Sequence, residues 1–141
     1  MASPLIRKVK EKIQKEKTVI LDAPPGTACP VIETAKGSEF CILVTEPTPF
    51  GLNDLELAVG MLETLQIPTG VVINKANIGD RKVWDYCQSK NIPVLMEIPM
   101  DRQIAESYSR GIPIVVENSS YIQKFEGLFE RIRNLTAASN G

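Results

Sequence analysis

An α/β fold, Rossmann-like, with an open parallel sheet and helices on both faces, is predicted by three features of the 141-residue sequence. Short apolar runs recur along the whole chain, each followed by a segment of helical periodicity. The runs are continuously apolar rather than alternating, as strands are when helices cover both faces of their sheet. The segments between them are long enough for right-handed crossover connections. With no internal repeat, low-complexity stretch or linker to divide it, the chain is expected to form a single α/β domain over residues 1–141.

Each element follows from local chemistry. Ser3-Pro4 reads as an N-cap followed by proline at the first helical position, opening a helix to about Glu16 with Leu5, Ile6, Val9 and Ile13 on its apolar face. Thr18–Leu21 is a short apolar strand that ends at Asp22 and the loop Ala23-Pro24-Pro25-Gly26-Thr27. A short helix runs from about Pro30 to Lys36, with Gly37 at its C-terminal cap. Phe40–Thr45 is the second strand and Asn53–Gln66 an amphipathic helix. Thr69–Asn74 is the third strand, Asp80–Lys90 a helix, Pro93–Ile98 the fourth strand and Asp101–Arg110 a further helix. An extended Gly111–Val116 stretch follows, then a closing helix capped by Asn118 or Ser119 and reaching about Leu135, with a frayed polar end at Thr136–Gly141.

Composition excludes several classes of function. Lysine and arginine total 16 against 17 acidic residues, a net charge of -1, which leaves no footprint for nucleic acid and no polybasic lipid anchor. No apolar run approaches the ~18–20 residues that span a bilayer, and a cytoplasmic location is expected. The chain has no histidine, which rules out Ser/His and Cys/His catalysis and histidine-ligated metals. Cys29, Cys41 and Cys87 are too dispersed for a disulfide framework or an iron–sulfur site within the chain. Cys41 and Cys87 lie in apolar patterns and read as packing residues. Cys29 opens a helix where a thiolate would be stabilised, yet a structural role is the simpler account.

In open parallel sheets ligands bind beyond the carboxyl ends of the strands, so the strand tips carry the candidate site. Asp22 ends an apolar strand, the place where P-loop NTPases hold the magnesium shell through water. The prolines stiffen Asp22–Thr27, and Gly26 could bring its N–H to a terminal phosphate; the alternative is a rigid loop with a capping aspartate. Asn74 offers the donor and acceptor that match the N6/N7 edge of adenine; the alternative is that it closes its own turn. Asn74-Lys75 resembles the start of the guanine-reading N-K-x-D pattern, but Asn77 replaces the aspartate. Pro25 likewise stands where a D-x-x-G glycine would be, and the two departures favour adenine. Thr45–Gly51 is a stiff loop that presents Glu46 or Phe50, or serves only as a connection. Pro99-Met100-Asp101 is the last tip.

Taken together, D-A-P-P-G-T-A-C-P-V-I, I-L-V-T-E-P-T-P-F-G-L-N-D-L-E-L-A-V, V-V-I-N-K-A-N-I-G-D and I-P-V-L-M-E-I-P-M-D resemble the MinD/ParA deviant Walker ATPases, in particular the branch with an inserted ferredoxin-like domain. The likeness covers nearly all of residues 4–135. It implies a partial P-loop NTPase fold, ATP and Mg2+ as ligands of the intact protein, and dimerisation across bound ATP. By the resemblance Asp22 is the catalytic acid near magnesium, and Pro24, Pro25, Gly26 and Thr27 form the loop that senses the γ-phosphate. Asn74, with Lys75 next in sequence, contacts adenine, Pro99 and Met100 line the base pocket, and Glu46 is a further candidate for contact with the nucleotide.

One departure from the family is decisive for activity. No Gly-rich G-K-[ST] element occurs in the sequence, and no cysteine-rich ferredoxin insert. The amides and lysines that neutralise a triphosphate are therefore not supplied here, and hydrolysis depends on that stabilisation. The expected function is a nucleotide-binding half domain that is catalytically incomplete alone, with no tightly bound cofactor, completed by a P-loop- and ferredoxin-bearing half or paired as a homodimer. The competing reading is a non-enzymatic interaction module that dimerises through a sheet edge. An oxidoreductase is a distant third, since G-x-G-x-x-G is missing.

Overall fold

The computed structural model describes residues 4–14 and 16–139. Its elements are α1 (Pro4–Lys10), α2 (Cys29–Ala35), β1 (Cys41–Thr45), α3 (Pro49–Leu65), β2 (Thr69–Asn74), α4 (Lys82–Ser89), β3 (Val94–Ile98), α5 (Arg102–Ser109), α6 (Ile114–Glu117) and α7 (Ser120–Ser139). The strands form one open parallel sheet in the order β1-β2-β3. This is the predicted α/β class.

The middle strand explains the architecture. Val71, Val72 and Ile73 of β2 are almost wholly shielded from solvent. On one face, Val71 and Ile73 pack against Leu55 and Val59 of α3 and Val83 and Cys87 of α4. That arrangement follows from β2 sitting between two parallel neighbours whose crossover helices lie on the same side. On the opposite face Val72 is buried, α7 packs along β3, and the Arg131 guanidinium donates to the Leu95 carbonyl at 2.7 Å. Outside this centre, one face of β1 is bare: Ile42 and Val44 are 42% and 68% exposed, while Leu43 and Thr45 face the core side.

Several boundaries differ from expectation. Thr18–Leu21 does not join the sheet; Val19 and Ile20 are 42% and 87% exposed. Apolar content fits a residue for a strand, but neighbours make the strand, and this segment has no ladder partner among the described residues. The first helix stops at Lys10 instead of Glu16: α1 buries none of its residues, so tertiary packing does little to extend it. Its Ser3 cap lies outside the described residues. The Lys10 ammonium instead donates to the carbonyls of Glu33 and, at 2.6 Å, Lys36, closing the end of α2.

α3 starts four residues before the predicted Asn53, at Pro49, so the last three residues of the expected stiff loop, Pro49 to Gly51, are helix. Thr48 accepts from the Gly51 N–H at 3.0 Å and proline occupies the first turn, which needs no N–H there. The stretch expected to be extended after Gly111 contains the short α6. Its Glu117 carboxylate receives the Ser107 hydroxyl and the Arg110 guanidinium, fastening α6 to α5. Asn118 accepts from the Ser120 N–H at 3.1 Å as α7 begins, and that helix continues past Leu135 to Ser139. The final two residues of the anticipated frayed end lie outside the described residues.

Two measurements test this packing. Ile73→Ala should lower stability by roughly 2–5 kcal/mol, against less than about 0.5 kcal/mol for Val44→Ala, both read from urea unfolding. Burial pushes the thiols of Cys41 and Cys87 above their ordinary value, whereas Cys29 is exposed. A neutral-pH thiol reagent should thus modify Cys29 first and Cys87 only on unfolding; equal rates at all three would contradict the core.

Candidate functional site

The parallel ladder points the carboxyl ends of β1, β2 and β3 the same way, so their loops meet at one rim of the sheet. At the first, Thr45 donates its hydroxyl to the Gly51 carbonyl at 2.9 Å, folding the start of α3 back onto the strand end. Between them Pro47 is fully buried. Across from it Gly79, in the loop after β2, takes φ of +79°, and a Cβ there would sit 1.9 Å from the Pro47 carbonyl oxygen. Only glycine fits, because both the backbone angle and the contact exclude a side chain.

At the second tip, Asn74 accepts the Lys75 N–H on its Oδ1 at 3.0 Å. Lys75 itself adopts a left-handed φ of 52°, turning the chain sharply off the strand. Its ammonium then reaches Glu46 Oε1 at 2.9 Å, bridging the first two tips. Both partners are near 40% exposed, so the pair is worth at most about 1 kcal/mol, and its effect is to orient two side chains and cancel their charge. Asn74 Oδ1 keeps a second lone pair, and none of the described hydrogen bonds uses its Nδ2.

The third tip is tied to the second. The Ala76 N–H extends the ladder to the Ile98 carbonyl at 2.9 Å. Beyond it, the Met100 N–H donates to Asn77 Oδ1 at 2.6 Å, and Asn77 Nδ2 donates to the Met100 carbonyl at 3.3 Å. Asp101 then caps α5 by accepting from the Gln103 N–H at 2.7 Å. Glu46, Asn74, Lys75, Pro99 and Met100 therefore lie along one linked rim. Asn77 and Gly79, which join these loops, were not singled out from the sequence as its residues; the N-K-x-N-x-G spacing was the available signal.

Asp22–Thr27 stands apart. All six residues are exposed, and Gly26 has φ of +100° with open space about it. Asp22 and Pro24 border a cleft of about 390 Å3 whose walls include Leu5, Ile6 and Val9 of α1 and Thr34 of α2. None of the hydrogen bonds or ion pairs among the described residues joins Asp22 to the other tips. No group of three or more acidic or cysteine side chains that could hold a metal occurs among the described residues. A lone carboxylate still suits Mg2+, which keeps its waters and takes most of its other ligands from phosphates.

Comparison with known proteins gives the ancestry. The ParA family model, described as NUBPL iron-transfer P-loop NTPase, matches residues 1–133. An uncharacterised protein of Methanocaldococcus jannaschii is 33% identical over 108 residues, covering 74% of this chain and 36% of that protein. The iron-sulfur cluster carrier protein of Aquifex aeolicus is 30% identical over 115 residues, 71% of this chain and 32% of its own length. That of Pyrococcus horikoshii is 28% identical over 132 residues, covering 82% and 45% respectively. The chain thus spans between about a third and under half of these relatives. With its open parallel sheet, its aligned strand tips and a match running from residue 1 to 133, the chain belongs to the ParA family of NUBPL-type iron-transfer P-loop NTPases.

Proposed function

We propose that this chain is the base-binding and switch-loop half of a ParA-type ATPase, and that it requires a separate phosphate-gripping element for hydrolysis. The observation that carries the reading is the rim of joined strand tips around Asn74. Its amide keeps an uncommitted donor for adenine N7 and a spare lone pair for the N6 amino group. Guanine would set its O6 against that lone pair, so the preference is for adenine. Pro99 and Met100, the latter 57% exposed, supply an apolar wall for the ring.

ATP and Mg2+ are the ligands of the intact assembly. Asp22 would hold the metal through water, and Pro24 to Thr27 would meet the terminal phosphate. Asp22 lies in an exposed loop preceded by the unpaired apolar segment Thr18–Leu21, which supports a segment that takes its working position only beside a phosphate-binding strand. β1 is the terminal strand of the sheet, with its Ile42–Val44 face uncovered, and its open edge is where such a strand could pair. By kinship with the cluster carriers, the ATP cycle would serve iron–sulfur cluster handling, with cluster ligands on another polypeptide or another part of the assembly.

The same bare edge supports a second reading, a non-enzymatic module that associates through it. Light scattering separates the two. A strict monomer at high concentration removes the self-associating module and leaves the nucleotide reading intact.

The isolated chain should bind MgATP only weakly, on the order of millimolar or about 4 kcal/mol, with no turnover. Calorimetry showing micromolar, magnesium-dependent binding would contradict a missing phosphate grip. Asn74→Ala should weaken ATP binding about tenfold and abolish the preference over GTP, read by NMR titration.

Mixing the chain with a polypeptide carrying the two-lysine glycine loop should restore hydrolysis. In that mixture Asp22→Ala should lower the rate by at least about a hundredfold. An unchanged rate would remove the assignment to Asp22.

A further inference from the structure

We infer that Asn77 is a positioning residue for the base pocket: its side-chain amide clamps the Met100 backbone and thereby holds the Pro99–Met100 wall in register with Asn74. This deepens the proposed adenine site and rests on that reading. The guanine-binding pattern places a base-reading aspartate at this position, but here both functional atoms of the asparagine amide are taken up by main chain. Oδ1 accepts from the Met100 N–H at 2.6 Å and Nδ2 donates to the Met100 carbonyl at 3.3 Å. The orientation is forced, since an N–H needs the oxygen and a carbonyl needs the nitrogen.

The clamp has little assistance from elsewhere. Only Pro99 and Met100 separate the end of β3 from Asp101, the cap of α5. Pro99 has no N–H to give. The Ile98 carbonyl is already held by the Ala76 N–H at 2.9 Å. The β3 tip is thus tied to the β2 tip through two consecutive residues, Ala76 by main chain and Asn77 by side chain. Asn74, three residues before Asn77, shares the same short turn, whose direction is set by the left-handed Lys75. Whatever position Asn74 takes against a purine edge, the apolar wall must follow it.

Asparagine is required because the job needs one donor and one acceptor at a fixed reach. Aspartate can accept from the Met100 N–H but sets a carboxylate oxygen against the Met100 carbonyl. An Asn77→Asp change therefore loosens the wall instead of creating a guanine reader. This separates Asn77, which acts through Met100, from Asn74, which would touch the base.

The test uses the isotope-labelled full chain, titrated with ATP and with GTP and followed by NMR, in wild type, Asn77→Asp, Asn77→Ala and Asn77→Ser. Asn77→Asp and Asn77→Ala should each raise the ATP dissociation constant about tenfold with no gain in GTP binding. The Val71–Ile73 amides should stay as protected as in wild type, which shows that the variants are folded. Asn77→Ser, which keeps a weaker donor and acceptor, should fall between. Unchanged ATP affinity in Asn77→Asp and Asn77→Ala would overturn the inference. So would new GTP affinity in Asn77→Asp, because Asn77 would then face the base itself. If the wild type binds no nucleotide, the adenine reading and the role in recognition fall together. Hydrogen exchange at the Met100 N–H in the ligand-free chain then judges the clamp separately: faster exchange in Asn77→Ala upholds it, and unchanged exchange removes it.

Discussion

The parallel pairing of β2 with strands on both sides governs this structure. Val71, Val72 and Ile73 can be buried only because their backbone groups are satisfied laterally by β1 and β3 and their side chains are covered above and below. A strand so placed cannot slip by one residue without driving apolar side chains from one packed face to the other. The register of β1 and β3 is therefore set from the middle outward, and so is the height at which each strand ends. Thr45 pairs with Ile73 and Asn74 with Ile98, so the three strands end within one residue of each other at the rim.

Level strand ends do not make a site; the loops must also be held. Here three kinds of interaction share that work. Gly79 lets two main chains approach more closely than any side chain would permit. Thr45, Thr48 and Asp101 turn strand ends into helix starts by pairing amides and carbonyls that would otherwise be unsatisfied. Asn77 ties neighbouring loops together, and the Lys75–Glu46 ion pair adds direction with little stability because water still reaches it. The rigid parts of the rim thus rest on hydrogen bonds and close packing rather than on charge.

Much of this plan was legible from residue order. Continuous apolar runs identify β1, β2 and β3, Pro4 marks the start of α1, Gly37 follows the end of α2, and Asn118 precedes α7. What local pattern could not tell was whether a run has a neighbour. Thr18–Leu21 is as apolar as β1 but remains outside the sheet, because pairing depends on a segment distant in sequence. The Thr48-Pro49 pair was read as part of a stiff loop, although a threonine cap followed by proline opens a helix equally well. At the rim, the identity of Asn77 was visible as a departure from N-K-x-D, but its partner was not. Met100 is 23 residues away and meets it only through the β2–β3 register. The separation of Asp22 from the other tips is likewise beyond local reading, since the Thr18–Leu21 segment before it is not paired into the sheet.

The uncovered flank of β1 carries a cost in time as well as in surface. Local helices form in microseconds or less, whereas a parallel neighbour must be brought in from far along a chain or from another molecule. Until it arrives, Ile42, Val44 and the open strand edge stay accessible to any other extended segment. Any assembly built on this sheet is consequently in a race between its rightful strand and stray ones. Its yield will depend on how soon that strand is paired after synthesis.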